Sequence, residues 1–221
     1  GSRFRPRQTG LPVGVGVACT MVSAIAGPNV ILCMSDDQGW GDVSYQGHPR
    51  LKTPHLDKMA SDGIRLERFY AAAPVCSPTR GSMLTGRHPY RYGIFFANVG
   101  HLPGPEVTIA ELLAQKGYAT GHFGKWHLGE EPFGPRQQGF DIQVPRWNKG
   151  WPRAGYHAPF QLDGIENVEG EYLTDRLTDV AEKFIEESRD QPFFLYMSHF
   201  AVHDPIQGRE ARKQGPCEHE N

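Results

Sequence analysis

PVCSPTRGSMLTG, residues 74–86, places a cysteine at the beginning of a predicted helix. Pro78 suits the first helical turn, where its missing N–H costs nothing, and Gly86 suits the left-handed residue after the last turn. Free backbone N–H groups and the positive end of the helix dipole favour an anion beside Cys76, and Arg80 adds a planar guanidinium. The stretch therefore predicts a site for an oxyanion substrate.

Cys76 has two other interpretations. In the loop of thiolate phosphatases the arginine follows the cysteine at a longer spacing than it does here, so we reject that class. A lone cysteine in a helix-capping loop is usually a buried structural residue. Against this, Cys-x-Pro-Thr-Arg followed by Met-Leu-Thr-Gly resembles the signature of the type I sulfatases. The resemblance implies that a formylglycine-generating enzyme oxidises Cys76 to formylglycine, whose hydrated aldehyde supplies the nucleophilic oxygen.

Composition limits the class of protein. The chain has 221 residues, of which 38% are hydrophobic, enough for one α/β core or two small domains. A net charge of -2 argues against a sequence-independent nucleic-acid binder, which needs a basic surface. Cys19, Cys33, Cys76 and Cys217 are scattered, so their spacing does not indicate a disulfide framework and the redox compartment stays open.

The N-terminus resembles a signal peptide. Three arginines precede a weakly apolar run, residues 11–26, that ends in Ala24-Ile25-Ala26. The run is short and broken by glycines, so it predicts export rather than a membrane span, with a disordered leader as the alternative. We expect a leader at 1–27, an incomplete sulfatase catalytic domain at 28–206 and a polar tail at 207–221.

Two carboxylates follow the first predicted strand. The apolar run from Asn29 to Ser35 predicts a strand buried on both faces, and Asp36 and Asp37 come directly after it. Adjacent carboxylates at a strand's carboxyl end suit a hard cation, although the same composition suits a solvated turn. The segment Asp-Asp-Gln-Gly-Trp-Gly-Asp resembles the first metal-binding segment of sulfatases, which implies that Asp36, Asp37 and the matured Cys76 hold Ca²⁺. We expect Asp36 to contribute little to the core.

Other elements alternate along the chain in a pattern typical of α/β proteins. The signature helix is joined by predicted helices at 53–63, 108–117 and 175–189, and by predicted strands at 64–70, 117–124 and 193–198. Met59 and Leu112 are predicted to face the core, and Thr108 and Glu111 to form a capping box. Residues 87–105 predict a surface loop near the site. Residues 130–165 predict a long ordered loop, in which Trp147 and Trp151 are candidates either for stacking on a sugar or for loop core. We expect a mixed, largely parallel sheet sandwiched by helices, like the N-terminal portion of an alkaline-phosphatase/sulfatase-like fold.

A second cationic stretch follows the predicted strand at 117–124. Lys125 and His127 lie two residues apart in a glycine-punctuated turn, so in extended chain they share one face and can converge on one anion. A solvated lysine and a packed histidine are the alternative. The stretch resembles the second sulfatase signature, except that Phe123 replaces a small aliphatic residue. The resemblance implies that Arg80 positions the hydrate, Lys125 and His203 bind sulfate oxygens, and His127 acts as a base.

These features predict a sulfuric ester hydrolase. The pattern looks most similar to N-acetylgalactosamine-6-sulfatase-like members, so the expected substrate is a sulfated polysaccharide, a glycosaminoglycan or an aryl sulfate. The alternatives are a phosphodiesterase or phosphonate hydrolase of the same superfamily, and a non-catalytic fragment. Sulfatases carry a further Asp-Asn metal pair and another lysine downstream, and these do not follow Ile206. We therefore expect the 221-residue chain to be catalytically silent.

Overall fold

The computed structural model describes residues 27–209, which form a four-stranded parallel sheet. The strand order is β1-β4-β2-β3. The strands are β1 (Val30–Met34), β2 (Ala119–Gly124), β3 (Ile142–Val144) and β4 (Phe193–Ser198). The helices are α1 (Pro54–Asp62), α2 (Cys76–Thr85), α3 (Pro89–Tyr92), α4 (Ile109–Ala114) and α5 (Leu173–Glu187). Two 3₁₀ turns lie at Ser44–Gln46 and Pro135–Gln138. The expected α/β class with a largely parallel sheet is confirmed.

Strand β4 lies at the centre of the core. All six of its residues are buried, as its unbroken apolar sequence predicts for a strand covered on both faces. One face packs against Leu177, Ala181 and Phe184 of α5. The opposite face packs against a second cluster, called here the cluster beneath α2, which contains Leu84 of α2 and Ala110 of α4. Helices therefore sandwich the sheet.

Strand β1 is less covered than predicted. Its residues alternate between half-buried and exposed, and Ile31 is 56% exposed. Val30, Leu32 and Met34 pack against the cluster beneath α2, whereas nothing within residues 27–209 covers the other face. The prediction of burial on both faces is therefore wrong for the described part of the chain, because α5 packs over this face of β4 and not over β1.

Several other boundaries match the sequence. Helix α1 begins after Thr53 and ends before Gly63, and the predicted capping box of Thr108 and Glu111 is present in α4. Helix α5 begins at Leu173, two residues before the predicted start. Phe123 is buried and packs against Phe184 at 5.5 Å between ring centroids, so this departure from the sulfatase pattern concerns packing.

Three local predictions are wrong. Residues 64–70 form no strand, and Ile64 is 92% exposed, because no neighbouring strand pairs with this alternating segment. Strand β3 lies inside the stretch predicted to be a loop, since three residues are too few to show a period. Met59 and Leu112 were predicted to face the core but are exposed.

The terminal segments lie outside the described residues, and so do the predicted leader and most of the predicted polar tail. The proposed division at residues 27 and 206 stays a prediction. Among residues 27–209, every helix is too short or too polar to span a bilayer.

Candidate active site

The candidate site lies at the C-terminal ends of the parallel strands. Asp36 follows β1, Lys125 follows β2, and residues 199–203 follow β4. Backbone hydrogen bonds join these loops: Asp36 N–H donates to the Ala201 carbonyl at 2.9 Å, and Lys125 N–H donates to the Ser198 carbonyl at 2.7 Å. In open α/β sheets, ligands bind beyond the C-terminal ends of the strands.

A buried cluster of three charged side chains forms the floor of the site. Asp36, Arg80 and Lys125 are 3%, 1% and 0% exposed. Arg80 Nη2 lies 3.1 Å from Asp36 Oδ1, and Lys125 Nζ pairs with Asp36 Oδ2. Burial, followed by the charge of Arg80, lowers the pKa of Lys125. With both cations charged, the cluster holds one more positive charge than negative, so it suits an additional anion.

Backbone and hydroxyl groups fix the arginine. Arg80 Nη1 donates to the Lys125 carbonyl at 3.0 Å and to the Tyr196 hydroxyl at 3.3 Å, and it also contacts Ser198 Oγ. Arg80 Nε has no hydrogen-bond partner among residues 27–209. A buried donor without a partner is costly, which marks this N–H as a candidate contact for a ligand.

Cys76 is the first residue of α2, as predicted, and Gly86 ends the helix with a φ of 67°. The Cys76 Sγ lies 3.1 Å from His127 Nδ1. On the other side of the ring, His127 Nε2 donates to Asn98 Oδ1 at 2.7 Å. With the proton on Nε2, the lone pair on Nδ1 faces Cys76, which is the tautomer that a proton acceptor requires.

His127 is held tightly. It has a φ of 58°, and a Cβ on Gly150 would lie 2.8 Å from both ring nitrogens. Burial is the main cause that lowers the pKa of His127 to about 3, and the charges of Lys125 and Arg80 act in the same direction. The neutral imidazole therefore dominates at neutral pH. Lys125 and His127 converge on one site as predicted. They do so because His127 has a left-handed backbone conformation, and not because they alternate along an extended strand.

Asp37 and His203 lie on the open side of the site. The Asp37 side chain is 59% exposed, and its Oδ2 is 3.6 Å from His203 Nε2. The His203 side chain is 25% exposed, and its Nδ1 lies 2.8 Å from the carbonyl of Asp204. The structure thus forms two contact groups, Asp36 with Arg80 and Lys125, and Cys76 with His127. One pocket is lined by members of both groups, and Asp37 and His203 lie at its rim.

Asp36 and Asp37 suit a hard cation by their donor chemistry. Both carboxylates line one pocket of about 290 Å³ together with Cys76 and Arg80. Each carboxylate oxygen of Asp36 already has a cationic partner, and it keeps a second lone-pair site. Among residues 27–209, no group of three or more His, Cys, Asp or Glu side chains is arranged to hold a metal. These residues therefore fit part of a calcium shell, which takes about six to eight oxygens.

Sequence reasoning missed Asn98 and Ser198. Asn98 lies in the segment 87–105, expected only to be a loop near the site, and it has a φ of 61°. Asn is one of the few residues other than Gly that adopts this conformation readily, so Asn98-Val99-Gly100 was the available signal. Ser198 ends β4, where its hydroxyl donates to the Lys125 carbonyl at 2.7 Å. A serine in a fully buried apolar strand marks a polar contact at that point.

Comparisons with known proteins agree with this geometry. A family model described as Sulfatase matches residues 28–221. N-acetylgalactosamine-6-sulfatase from Mus musculus is 37% identical over 81% of this chain and 40% of its own length. Arylsulfatase A from Homo sapiens is 43% identical over 90% of this chain and 45% of its own length. The chain therefore spans less than half the length of these curated relatives.

A solved structure shares the fold. The crystal structure of Ps i-CgsB in complex with k-i-k-neocarrahexaose superposes with a TM-score of 0.70 at 31% identity, over 82% of this chain and 46% of that one. The match of the family model across nearly all of the described residues, together with these likenesses, shows that this chain belongs to the sulfatase family.

Proposed function

We propose that the protein hydrolyses sulfate esters of a sulfated carbohydrate, with Cys76 as the precursor of its nucleophile. The observation that carries the proposal is the contact between Cys76 and His127 beside a buried cluster of two basic side chains and one carboxylate. A relative is named for N-acetylgalactosamine 6-sulfate and a structural neighbour was solved with an oligosaccharide, which supports a glycan substrate.

The chemistry of Cys76 fits its position. Formylglycine at residue 76 would supply an oxygen nucleophile, and Ca²⁺ held by Asp36, Asp37 and residue 76 would act as a Lewis acid. The thiol lies where the N–H groups of α2 and the guanidinium of Arg80 favour negative charge. We infer that a formylglycine-generating enzyme reads the Cys-x-Pro-x-Arg loop and that the leader directs the chain to an exported compartment.

The other side chains hold the substrate and move a proton. The ammonium of Lys125 and the free Nε–H of Arg80 bind oxyanion oxygens, because both are buried donors in a low-dielectric environment. Nδ1 of His127 accepts a proton from the group at residue 76, and Asn98 keeps that nitrogen unprotonated by accepting from Nε2. General base catalysis of this kind typically contributes about 10² to 10⁴ in rate. His203, at the rim beside Asp37, contacts the ester from the open side.

The test is the release of sulfate by the full-length protein encoded by its reading frame, produced together with a formylglycine-generating enzyme. We expect hydrolysis of an aryl sulfate in preference to the matching aryl phosphate, loss of turnover in Cys76→Ala, and loss after removal of Ca²⁺ by a chelator. Mass spectrometry of the peptide that contains residue 76 measures the conversion. Release of phosphate in preference to sulfate would instead favour the phosphodiesterase or phosphonate hydrolase alternative. Turnover by the 221-residue chain itself would contradict its expected silence.

A further inference from the structure

Residues 203–209, called here the strap, follow the loop after β4 and begin with His203. The loop itself is tied to the site, because Val202 N–H donates to the Asp36 carbonyl at 2.8 Å. The strap has little apolar surface to bury, and its one large aliphatic side chain, Ile206, is exposed. Hydrogen bonds from other elements therefore set where the strap lies.

Two stacked tyrosines hold the strap by its backbone. Tyr156 Oη donates to the His203 carbonyl at 3.0 Å, and Tyr172 Oη donates to the Gln207 carbonyl at 2.8 Å. A third bond runs from Tyr156 N–H to Gln207 Oε1 at 2.8 Å. The two rings pack against each other, with 5.8 Å between their centroids and 29° between their planes. The tyrosine pair therefore fixes the strap at His203 and again at Gln207.

Tyr156 is a rigid donor. It is 2% exposed and belongs to the same core cluster as Leu177 of α5. Its backbone is held as well, since its carbonyl accepts from Leu173 N–H at 2.7 Å. Burial raises the pKa of Tyr156, so the hydroxyl keeps its proton and donates it to the His203 carbonyl. The core thus presents a fixed hydroxyl to the first residue of the strap.

Two backbone hydrogen bonds fix His203 itself. Its N–H donates to the Phe200 carbonyl at 3.0 Å, which closes a turn within its own loop. Its carbonyl accepts from Tyr156, which belongs to a different part of the chain. The imidazole contacts exposed groups, since Nδ1 lies 2.8 Å from the Asp204 carbonyl and Nε2 lies 3.6 Å from Asp37 Oδ2. The Tyr156 hydroxyl therefore links this histidine to the buried core.

We propose that Tyr156 is a positioning residue, whose hydroxyl acts through the His203 carbonyl to hold the His203 imidazole at the rim where the sulfate ester enters. This deepens the proposed function and rests on it for the contact between His203 and the ester. A small displacement of a group that contacts the reacting ester lowers the rate strongly, because orientation supplies part of the lowering of the barrier. Tyr156 itself does not touch the ester, so its whole effect on the reaction passes through His203.

The first experiment is Tyr156→Phe, which removes the hydroxyl and keeps the ring. In the full-length protein, produced together with a formylglycine-generating enzyme, we expect kcat/KM for an aryl sulfate to fall about tenfold. In a His203→Ala background the same substitution changes kcat/KM by less than about twofold, because the group that it positions is already absent. A merely structural role would lower both backgrounds equally. Equal losses in the two backgrounds, or no loss in the first, would overturn the inference.

Tyr172→Phe is the matched control. The Tyr172 hydroxyl also donates to a strap carbonyl, from the other ring of the same stacked pair. The variant therefore weakens the hold on Gln207 and leaves the bond to His203 in place. We expect its kcat/KM to stay within about twofold of that of the unsubstituted enzyme. A loss as large as that of Tyr156→Phe would assign the effect to the strap as a whole and overturn the inference.

A second measurement separates this inference from the proposed function. Histidine labelled with ¹³C at Cε1 gives each histidine a resonance in the nuclear magnetic resonance spectrum, and His203→Ala assigns the one that belongs to His203. We expect Tyr156→Phe to displace this resonance and Tyr172→Phe to leave it in place, whether or not the protein hydrolyses the aryl sulfate. Absence of turnover in the unsubstituted enzyme would count against the proposed function. An unmoved His203 resonance in Tyr156→Phe would overturn the positioning role.

Discussion

The central strand β4 and the edge strand β1 differ in how much of their surface other elements cover. Residues that follow both strands meet in the candidate site. Every residue of β4 is buried, whereas β1 exposes alternate residues. Asp36 follows the poorly covered strand and is nevertheless only 3% exposed, because Arg80 and Lys125 from the well-covered side enclose its carboxylate. The difference shows that Asp36 owes its burial to its two ion partners and not to cover over β1.

Breaking that link gives the largest expected effect. Asp36→Asn leaves Arg80 and Lys125 buried without their carboxylate, so we expect the free energy of unfolding to fall by about 3–5 kcal/mol. Denaturant unfolding of the variant and of the unsubstituted protein measures this loss of free energy. The burial of Asp36 and its two ion pairs argue against the expectation from sequence that it contributes little to the core, and this measurement decides between the two.

Asp37→Asn is the matched control for this substitution. The Asp37 side chain is 59% exposed, and surface substitutions usually change stability by less than about 0.5 kcal/mol. Equal losses for the two variants would contradict the assignment of the buried cluster as the link.

The next largest effect concerns side-chain packing on one face of the sheet, compared between β4 and β1. Leu195 of β4 and Ile31 of β1 are partners in register, so their side chains project from the same face. Leu195 is 2% exposed and Ile31 is 56% exposed. We expect Leu195→Ala to cost about 2–5 kcal/mol and Ile31→Ala less than about 1 kcal/mol. A loss at Ile31 as large as that at Leu195 would show that this face of β1 is covered.

The central elements were predictable because their own residues decide them. The apolar run of β4 and the helical period of α5 are visible in sequence, and so are the caps of α1 and α4. Exposure of one face of β1 was not predictable, since burial depends on which elements lie against a strand. The segment 64–70 alternates like a strand but finds no partner to pair with.

The part of the site that sequence motifs define was predictable, whereas the contacts that depend on loop geometry were not. Cys76 and Arg80 lie four positions apart on one helix, so their proximity follows from the sequence. The contact of His127 with Asn98 depends on left-handed residues at both positions, with φ of 58° and 61°. No periodicity indicates such a contact. The catalytic and metal-binding roles of these side chains stay predictions.

A buried histidine makes the stability of the centre depend on pH. His122 of β2 is 0% exposed, contacts Trp126 and Tyr196, and has no hydrogen-bond partner for Nδ1 among residues 27–209. Burial lowers its pKa to about 3, against an ordinary value of 6.5. The unfolded chain therefore binds more protons between these values, so the stabilisation is complete above pH 6.5 and is lost as pH falls toward 3.

His122→Phe removes this titration and fits the aromatic surroundings. Between pH 6 and pH 4 we expect the free energy of unfolding of the unsubstituted protein to fall more steeply, by about 1.4 kcal/mol per pH unit relative to the variant. Denaturant unfolding at several pH values measures both slopes. Parallel profiles would mean that His122 accepts a proton in the folded state.

The smallest effect is expected in the segment that sequence reasoning took for a strand. Ile64 is 92% exposed and Ile94 is 1% exposed, within the cluster beneath α2. Replacing each with threonine removes apolar atoms and adds a hydroxyl while the branched Cβ is kept. At Ile64 the hydroxyl meets water, so we expect a change within about 0.5 kcal/mol. At Ile94 the same hydroxyl is buried beside apolar side chains, where an unpartnered polar group costs about 1–3 kcal/mol in addition to the lost packing. Denaturant unfolding compares the two variants, and a loss above about 1 kcal/mol for Ile64→Thr would show that residues 64–70 pack against the protein after all.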